Sequence, residues 1–415
     1  IRDSNINAIA AAEVTATQHS RRVVPGVDVS ELNFLSQTDL DFGDAPDSYG
    51  TSLGSDGPRH IVSSGVRLGA TVTSEPNAGT PDGDPDDNGV TIGGPLAIGR
   101  DHSFEIETSA AGTLAVWIDH NGNGAFDNAT ERTQFDIGSA GVQSIVVSVP
   151  ATATAGTTHA RFRFSTDSSA VANPTGAAPN GEVEDYALLI AAPPTDLDLS
   201  NASINENTDT SAGDLLVGLL SAVDATPADS FTYALVSGTG DGDNARFMIN
   251  GDQLMLKQGE TIDAETQSSY SVRILVSDSA GLSMQKPLTV NVNDLVELTD
   301  ADITLDDGSG QRSIIGSVSV RFDTEVVILP DAFVVRKRGS GGGDVDVSFN
   351  TIVDPQGRTV ATLSFSGAFV QDGGLVDGNY DLRINGSKVT SVAGGLGLDA
   401  DRNGVTGDDY TFGDV

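Results

Sequence analysis

Leu114-Ala-Val116-Trp-Ile118 runs directly into Asp119-His-Asn121-Gly-Asn123-Gly-Ala-Phe-Asp127-Asn-Ala-Thr-Glu131. Leu114–Ile118 is one of several short runs in which apolar residues alternate with others. The other runs are Ser144–Val149, His159–Phe164 and Tyr270–Val276. Period-2 alternation bounded by Gly, Asn and Asp turns predicts antiparallel β-sandwiches. We therefore expect an all-β chain.

The residues after Ile118 place side-chain oxygens at positions 1, 3, 5 and 9 of a loop that has glycine at position 6. Calcium takes six to eight oxygen ligands at about 2.3–2.6 Å, and a loop that turns sharply at a glycine can supply them. Position 12 of this loop is Thr130. The nearest residue that could bind calcium with both carboxylate oxygens, Glu131, comes one residue later. The candidate ligands are Asp119, Asn121, Asn123, Asp127 and Glu131. A solvated polar turn is the alternative.

The chain is strongly acidic. Its 415 residues include 59 Asp plus Glu and 22 Lys plus Arg, for a formal charge of −37. A length of this size suggests three domains. Such a surface repels nucleic acid and anionic membranes, so we expect neither as a partner, whereas divalent cations would relieve its self-repulsion. A generally acidic proteome from a salty habitat is the alternative explanation.

Several classes of chemistry are excluded or disfavoured by composition. The chain has no cysteine, which excludes disulfides, thiolate nucleophiles and Cys-based zinc sites. None of its five histidines lies in an HExxH pattern. No run approaches ~18 consecutive apolar residues, so we expect no membrane span. The chain begins at Ile1 rather than Met, which is typical of a processed or excised segment. No enzyme is expected, since the chain shows no catalytic triad, metal-hydrolase motif or phosphate loop.

Residues 1–40 are predicted to be an N-terminal arm or leader. Ile6–Val14 could form a short helix and Val23–Val29 an extended piece, but neither has enough apolar partners to fold alone. One interpretation is a disordered leader. The other is an arm that docks on the sheet edge of a neighbouring chain by β-augmentation.

Residues 41–191 are predicted to form the first domain. It opens with Asp41-Phe-Gly-Asp-Ala-Pro-Asp-Ser-Tyr-Gly50 and closes with Gly181-Glu-Val-Glu-Asp-Tyr186, with the Asp119 loop between them. In these three features the segment resembles the bacterial GEVED domain. The resemblance implies a β-sandwich module of a secreted or surface protein, with no catalysis attached.

Two acidic groups in this domain have competing interpretations. Asp82, Asp84 and Asp86 lie in a cluster that could bind calcium or form an exposed hairpin tip. Glu182 and Glu184 are expected on one face of a strand, where a cation, Arg161 or Arg163, or water would have to balance them. A general acid and base pair is a further interpretation, which the lack of an aromatic sugar platform disfavours.

After the linker Ala191-Ala-Pro-Pro-Thr195, residues 196–295 resemble a bacterial cadherin-like repeat. The resemblance rests on landmarks in order, among them Ile204-Asn-Glu206-Asn, Ile262-Asp263-Ala-Glu265 and Val290-Asn-Val-Asn-Asp294. It implies a calcium site toward the next domain, with ligands Glu206, Asp263, Glu265 and Asp294. It also implies that Asp224 and Asp278 are ligands of a calcium site toward the preceding domain. The family has an Asp-x-Asp pair at the position of Asp224-Ala-Thr226. Thr226 stands here in place of the second acid, so some metal sites are expected to be lost.

Residues 296–415 are predicted to form a third sandwich, which gives three tandem β-sandwich domains with calcium-loop insertions. The segment ends in a second calcium-type loop with candidate ligands Asp399, Asp401, Asn403 and Asp409. The tail resembles Ig-like modules of planctomycete surface proteins, which implies that the chain is cut before a longer region.

Together these features favour a secreted calcium-binding structural or adhesive protein of the cell surface or extracellular matrix. It could self-associate into filaments or a matrix through the arm or its domain ends, or bind an extracellular protein or glycan. The alternative is a non-catalytic carbohydrate- or protein-binding region of a larger secreted enzyme.

Overall fold

The computed structural model describes residues 40–79, 85–306, 308 and 314–413. These residues divide into two compact units. The first holds the described residues up to Thr195, with Asp224–Phe231 and Ser277–Ser283; the second holds Asp196–Val223, Thr232–Val276 and the described residues from Met284 onward. The N-terminal arm up to residue 39, and with it the predicted docking, lies outside the described residues.

The fold is all-β, as predicted: the helices of the described residues are single 3-10 turns at Asp47–Tyr49, Leu53–Ser55, Asn244–Arg246, Asp300–Asp302 and Gly386–Lys388. None of the described helices is long and apolar enough to cross a lipid bilayer.

The GEVED-like segment builds three sheets. Its strands are β1 (Leu40–Phe42), β2 (Arg59–Ile61), β3 (Val90–Thr91), β4 (Leu96–Ala97), β5 (Asp101–Thr108), β6 (Gly112–Ile118), β7 (Arg132–Ile137), β8 (Gly141–Ser148), β9 (Gly156–Ser165), β10 (Ala177–Ala178) and β11 (Glu182–Ala191). The sheet orders are β1-β2-β10, β4-β11-β9-β6-β7 and β3-β5-β8. Alternate residues of β5, β6 and β9 fill one core, in which Phe104, Leu114 and Phe162 are fully buried.

The cadherin-like repeat builds two four-stranded sheets. Its strands are β12 (Asp196–Leu199), β13 (Ser203–Asn205), β14 (Leu215–Val223), β15 (Thr232–Leu235), β16 (Phe247–Asn250), β17 (Gln253–Leu256), β18 (Ser269–Ser277) and β19 (Ser283–Asn293). The sheet orders are β12-β14-β17-β16 and β13-β19-β18-β15. Along β18, Tyr270, Val272, Ile274 and Val276 are buried in strict alternation, as the sequence pattern predicts.

The C-terminal segment contains β20 (Ile303–Leu305), β21 (Ser317–Arg321), β22 (Val326–Ile328), β23 (Phe333–Lys337), β24 (Asp344–Val353), β25 (Thr359–Ser366), β26 (Val370–Gln371), β27 (Gly374–Leu375), β28 (Tyr380–Ile384), β29 (Val389–Ser391) and β30 (Tyr410–Gly413). Seven of them form one sheet in the order β20-β21-β25-β24-β23-β28-β30, and β22-β29 and β26-β27 form two-stranded sheets. Every described sheet uses strands of one predicted domain, but the domain boundaries themselves stay predictions.

Candidate metal centres

The closing motif of the GEVED-like segment forms the start of β11, where four consecutive side chains are buried. The Asp185 carboxylate accepts hydrogen bonds from Arg161 Nε and Nη2, each at 2.8 Å, and from the Ala45 amide at 2.9 Å. Asp185 and Arg161 are cross-strand neighbours in the β9–β11 register, and both side chains are fully buried. The negative charge of Asp185 is therefore balanced inside the domain by a bidentate guanidinium.

Glu182 and Glu184 lie on the opposite face of β11 from Asp185, as alternation predicts. Glu182 Oε2 accepts the Leu68 amide at 2.7 Å, and Glu184 Oε1 accepts the Asn88 and Gly89 amides at 3.0 and 2.7 Å. Both glutamates thus bind backbone amides of the loop segments beside the sheet. Burial, and then repulsion from Glu184, raises the pKa of Glu182 to about 10.

Arg163, the other proposed partner of these glutamates, is held differently. Its Nη1 donates to the carbonyls of Asn173 and Thr175 at 2.6 and 2.7 Å, and its Nε donates to His60 Nε2 at 3.1 Å. Burial, and then the charge of Arg163, lowers the pKa of His60 well below its usual value, which keeps the ring neutral and able to accept. Neither arginine therefore serves as the hydrogen-bonded partner of Glu182 or Glu184.

The Asp119 loop is a tight structure closed by Glu131. Asp119 Oδ1 accepts the Gly122 amide at 2.7 Å and its Oδ2 accepts the Gly124 amide at 2.9 Å. Glu131 Oε1 accepts from Asn121 Nδ2 at 2.7 Å, and its Oε2 accepts the Asp127 amide at 2.8 Å. The late position of Glu131 therefore still permits closure of the loop.

The other polar side chains of this loop, Asn123 and Asp127, accept amides two residues further along, from Ala125 at 2.9 Å and Ala129 at 2.6 Å. Such turns are the usual local use of Asn and Asp side chains. The acids of this loop are not among the described groups whose carboxylate oxygens converge within 4.8 Å. Calcium at this loop stays a prediction.

The opening motif of the domain contacts the same loop and the closing strand. Tyr49 Oη donates to Asp119 Oδ2 at 2.9 Å, and Asp41 Oδ2 accepts the Val183 amide at 2.7 Å. Burial, and then the hydrogen bond to Asp119, raises the pKa of Tyr49 to about 12. The three features behind the resemblance are therefore joined in space.

The acidic cluster at 82–86 is described only in part. Asp86 Oδ1 accepts a hydrogen bond from Thr71 Oγ1 at 2.8 Å. Asp82 and Asp84 lie outside the described residues, so metal binding there stays a prediction.

In the cadherin-like repeat, three of the four predicted ligands come together. One carboxylate oxygen from each of Glu206, Glu265 and Asp294 lies within 4.8 Å of the others, and we call this group the Glu206 cluster. Glu206 is buried and accepts the Leu295 and Ala264 amides at 2.5 and 2.8 Å. Burial is the largest cause that raises its pKa to about 7.

The fourth predicted ligand, Asp263, is an exposed residue that lies outside this converging group. Its two oxygens accept from the backbone amide and the hydroxyl of Thr266, at 2.9 and 2.8 Å. Its assignment as a ligand stays a prediction.

Two acids of the segment after the repeat, Glu297 and Asp323, interact electrostatically with members of the Glu206 cluster, although neither belongs to the converging group. Asp323 follows β21, and its Oδ2 accepts the Glu297 amide at 3.0 Å. Asp323 Oδ1 is buried and has no hydrogen-bond partner in the described structure. Burial, and then the charges of Asp294 and Glu265, raises the pKa of Asp323 to about 7. An oxygen-only donor set with an orphaned buried oxygen fits a hard cation such as Ca²⁺.

The C-terminal loop brings Asp399 and Asp401 together with Asp408, not with the predicted Asp409. Asp409 instead forms an ion pair with Arg383 of β28, and its Oδ1 accepts the Gly386 amide at 3.0 Å. Asp408 therefore joins the candidate ligand set, and Asp409 as a ligand stays a prediction. Asn403 stays beside the group, since its Nδ2 donates to Asp401 Oδ2 at 2.9 Å.

Asn207 connects this C-terminal loop to the vicinity of the Glu206 cluster. Its Nδ2 donates to Glu297 Oε1 and, at 3.3 Å, to Asp399 Oδ2. Arg402 forms an ion pair with the same Glu297 at 3.0 Å. Asn207, Asp323 and Asp408 are functional candidates that sequence reasoning missed. For Asp408 a signal existed, because it directly precedes Asp409.

The profile of the GEVED domain matches residues 113–189, which cover strands β6 to β11 except for the ends. No curated protein sequence matches the chain.

Solved structures similar to the chain include extracellular cadherin domains. Drosophila N-cadherin EC1-3 is 13% identical with a TM-score of 0.22, over 61% of this chain and 76% of that one. Protocadherin Gamma B7 domains 1–4 are 13% identical with a TM-score of 0.25, over 91% and 77%. Human Protocadherin-24 EC1-2 is 15% identical with a TM-score of 0.24, over 53% and 96%. The similarity to Ig-like planctomycete modules stays a prediction.

Proposed function

We propose that the chain is a calcium-stiffened structural or adhesive protein of the cell surface or extracellular matrix. The observation that supports this most is the convergence of three carboxylates in the Glu206 cluster, whose charges act on Asp323 of the following segment. Empty, the group repels itself; a divalent cation would bind these carboxylates together and fix both segments. The expected effect of calcium is on rigidity and stability rather than on chemistry.

The non-catalytic part of this proposal is supported by the contacts of Glu182 and Glu184. Their carboxylates accept backbone amides of neighbouring loops. Glycoside hydrolysis needs two carboxylates that can reach a sugar, and these two are buried. Trp117, the single tryptophan, is also fully buried, so it offers no platform for a sugar ring.

The test combines stability with assembly. We expect the purified chain to melt at a higher temperature in calcium than in excess chelator, and magnesium to give a smaller shift because it demands stricter octahedral geometry. Electron microscopy in calcium and in chelator then asks whether the chain forms filaments. An unchanged melt would refute the calcium proposal. A calcium-dependent melt with monomers only and a specific hit on a glycan array would favour the binding-module alternative.

A further inference from the structure

Strand β8 is an open edge of the sheet β3-β5-β8. Its 8 residues, Gly141–Ser148, all pair with β5 on one side, and the register has no shift. No described strand pairs with β8 on its other side. Among the sheets of the described residues, every other edge strand has 6 residues or fewer, so β8 is the longest open edge.

The edge is also uncharged. Residues 137–160 contain no Asp, Glu, Lys or Arg, and this is the longest such stretch in a chain whose formal charge is −37. Natural edge strands resist pairing with other chains because they are short, carry charges or contain proline. The next-longest edge strand, β7, follows this rule, since it carries Arg132 and Asp136. β8 has none of these protections.

The open edge presents the main-chain groups of alternate residues. The Val149 amide donates to the Arg100 carbonyl at 2.9 Å, so the odd-numbered residues of β8 are the ones whose main chain bonds to β5. The amides and carbonyls of the even-numbered residues, from Val142 to Ser148, therefore point away from β5. They have no hydrogen-bond partner within the described parts of the chain. Such a row of unpaired main-chain groups is a template for another strand.

The side chains of these even-numbered residues form a row on the exposed face of the sheet. Val142 and Val146 are 65% and 52% exposed, and Ser144 lies between them. Single exposed apolar side chains are common, but these two lie on one face of an open and uncharged edge. A partner strand that removes them from water must itself present an uncharged row.

We propose that β8 is a self-association edge, to which β8 of a second copy of the chain adds in antiparallel orientation. Two copies repel each other through their large negative charge, so they approach most easily where both surfaces are uncharged. The residues of the edge also match themselves. With the two-fold axis at Ser144, Val142 of each chain lies opposite Val146 of the other, and Ser144 lies opposite its own equivalent. The outward main-chain groups then meet as hydrogen-bonded pairs.

The inference names a partner for the proposed structural role and rests on that role for its biological meaning, but the contact itself needs no ion. It joins two three-stranded sheets into one continuous sheet and removes two open edges at once. Main-chain hydrogen bonds supply the attraction, and the two valine pairs supply the specificity of register.

The acids nearest to the edge lie one strand behind it. Asp101, Glu105 and Glu107 are exposed on β5, on the same face as the valines. In the joined sheet the two β5 strands are three strand spacings apart, or about 14 Å. This exceeds the Debye length of about 8 Å at 0.15 M salt but not that of about 30 Å at 0.01 M. Association should therefore be weaker at 0.01 M than at 0.15 M salt, and the opposite dependence would refute this edge.

The first test uses cysteine, which the chain lacks. The Cα atoms of a hydrogen-bonded antiparallel pair are about 5.5 Å apart, which a disulfide can span. Ser144→Cys in the full chain should therefore give a disulfide-linked dimer under mild oxidation. Ser148→Cys is the matched control, because it is exposed on the same face but its two copies would lie about 27 Å apart in this register.

Two results of the cross-linking overturn the proposal. Equal yields of dimer from Ser144→Cys and Ser148→Cys would show that the cysteines meet only by random collision. No dimer from Ser144→Cys would show that a second β8 does not add here, as when the N-terminal arm at residues 1–40 fills the edge instead.

The second test is sedimentation velocity of the full chain in chelator. The parent should dimerise as its concentration rises. Val146→Lys should weaken the dimer by ~30-fold, because the symmetric contact loses both of its cross-strand valine pairs. Thr91→Lys is the control, since it makes the same change of charge at an exposed residue of β3, the other edge of the sheet. A parent that stays monomeric, or equal dimerisation of the two variants, refutes the contact.

Failure of this inference can be told apart from failure of the proposed function. If calcium leaves the melting temperature unchanged while Ser144→Cys cross-links in chelator, the calcium proposal fails and the β8 contact stands. If calcium raises the melting temperature while Ser144→Cys and Ser148→Cys give equal yields, the β8 contact is refuted and the calcium proposal stands.

Discussion

The start of β11 and the Glu206 cluster both gather carboxylates, but they balance the negative charge in opposite ways. At the start of β11, Asp185 has a buried arginine partner, Arg161, within the same sheet. In the Glu206 cluster, backbone amides are the hydrogen-bond donors to Glu206, and no described lysine or arginine forms an ion pair with it. Asp185 is balanced by a partner inside the fold, whereas the Glu206 cluster would be balanced by the cation that we propose. A count of acids cannot tell these two cases apart; the identity of their partners can.

Removing the internal cation should have the largest effect. Arg161→Met would leave Asp185 buried without its partner, which typically costs about 3–5 kcal/mol. The loss should be the same in calcium and in chelator. Fluorescence of Trp117, which is buried in the same domain, reports urea unfolding of this part of the chain. Arg100→Ala at an exposed position is the control, and similar small losses for both variants would contradict the prediction.

Removing a carboxylate from the Glu206 cluster should have an effect that depends on calcium. At a hundredfold excess of calcium over Kd, a single site adds about 2.7 kcal/mol of stability, and Asp294→Asn should forfeit most of it. In chelator the same change should cost little, because it removes one repelling charge. Calorimetric melting in both buffers measures the difference, with Asp252→Asn as the control. An equal loss in both buffers would mean that Asp294 is a structural residue.

Glu182 should make stability depend on pH even without calcium. Burial raises the pKa of Glu182 from its ordinary value of 4.5 to about 10 in the folded state, so the folded state binds one more proton than the unfolded state between these pH values. Its contribution therefore favours folding below about pH 4.5 and is lost progressively as pH rises toward 10, by up to about 1.4 kcal/mol per pH unit.

Glu182→Gln keeps an oxygen for the Leu68 amide but carries no titratable proton. It should flatten this slope and raise stability at neutral and alkaline pH. Chelator-treated protein unfolded in urea at a series of pH values is the measurement. An unchanged slope would show that Glu182 is ionised in the folded state.

The smallest expected effect is at Asn207, which bonds both Glu297 and Asp399. Asn207→Gly tolerates its φ of +57° and removes only the side chain, so we expect a loss of about 1.5 kcal/mol, the low end for bonds to charged groups. Asp331→Gly, at an exposed residue with φ +64°, is the matched control. Equal changes for both variants would show that the bonds of Asn207 contribute nothing.

Much of the fold could be predicted because burial of one face imposes strict alternation. Tyr270–Val276 was predicted as a strand and lies within β18, and the closing Glu-Val-Glu-Asp run was predicted with its faces correctly separated. These patterns are local, so a short window of sequence contains them.

The partners of the acids could not be predicted, because they come from distant parts of the chain. The spacing of the C-terminal loop predicts Asp409 as a ligand, whereas the pairing of β28 with β30 places Ile384 opposite Tyr410. That register brings Arg383 to Asp409 and leaves Asp408 for the loop. Asp323 likewise carries no local signal, since it does not lie in a recognisable ligand spacing.

The segment that joins the cadherin-like repeat to the residues after it has a practical consequence. Leu295, Val296 and Leu298 are almost completely buried, and Val296 pairs with the chain at Leu398. A protease must draw an extended stretch of backbone into its cleft, and exposed loop tips are where nicking concentrates. Limited digestion should therefore leave this junction uncut and keep the repeat and the C-terminal strands in one fragment. For the same reason, a pulling force on the chain should find no hinge at this junction.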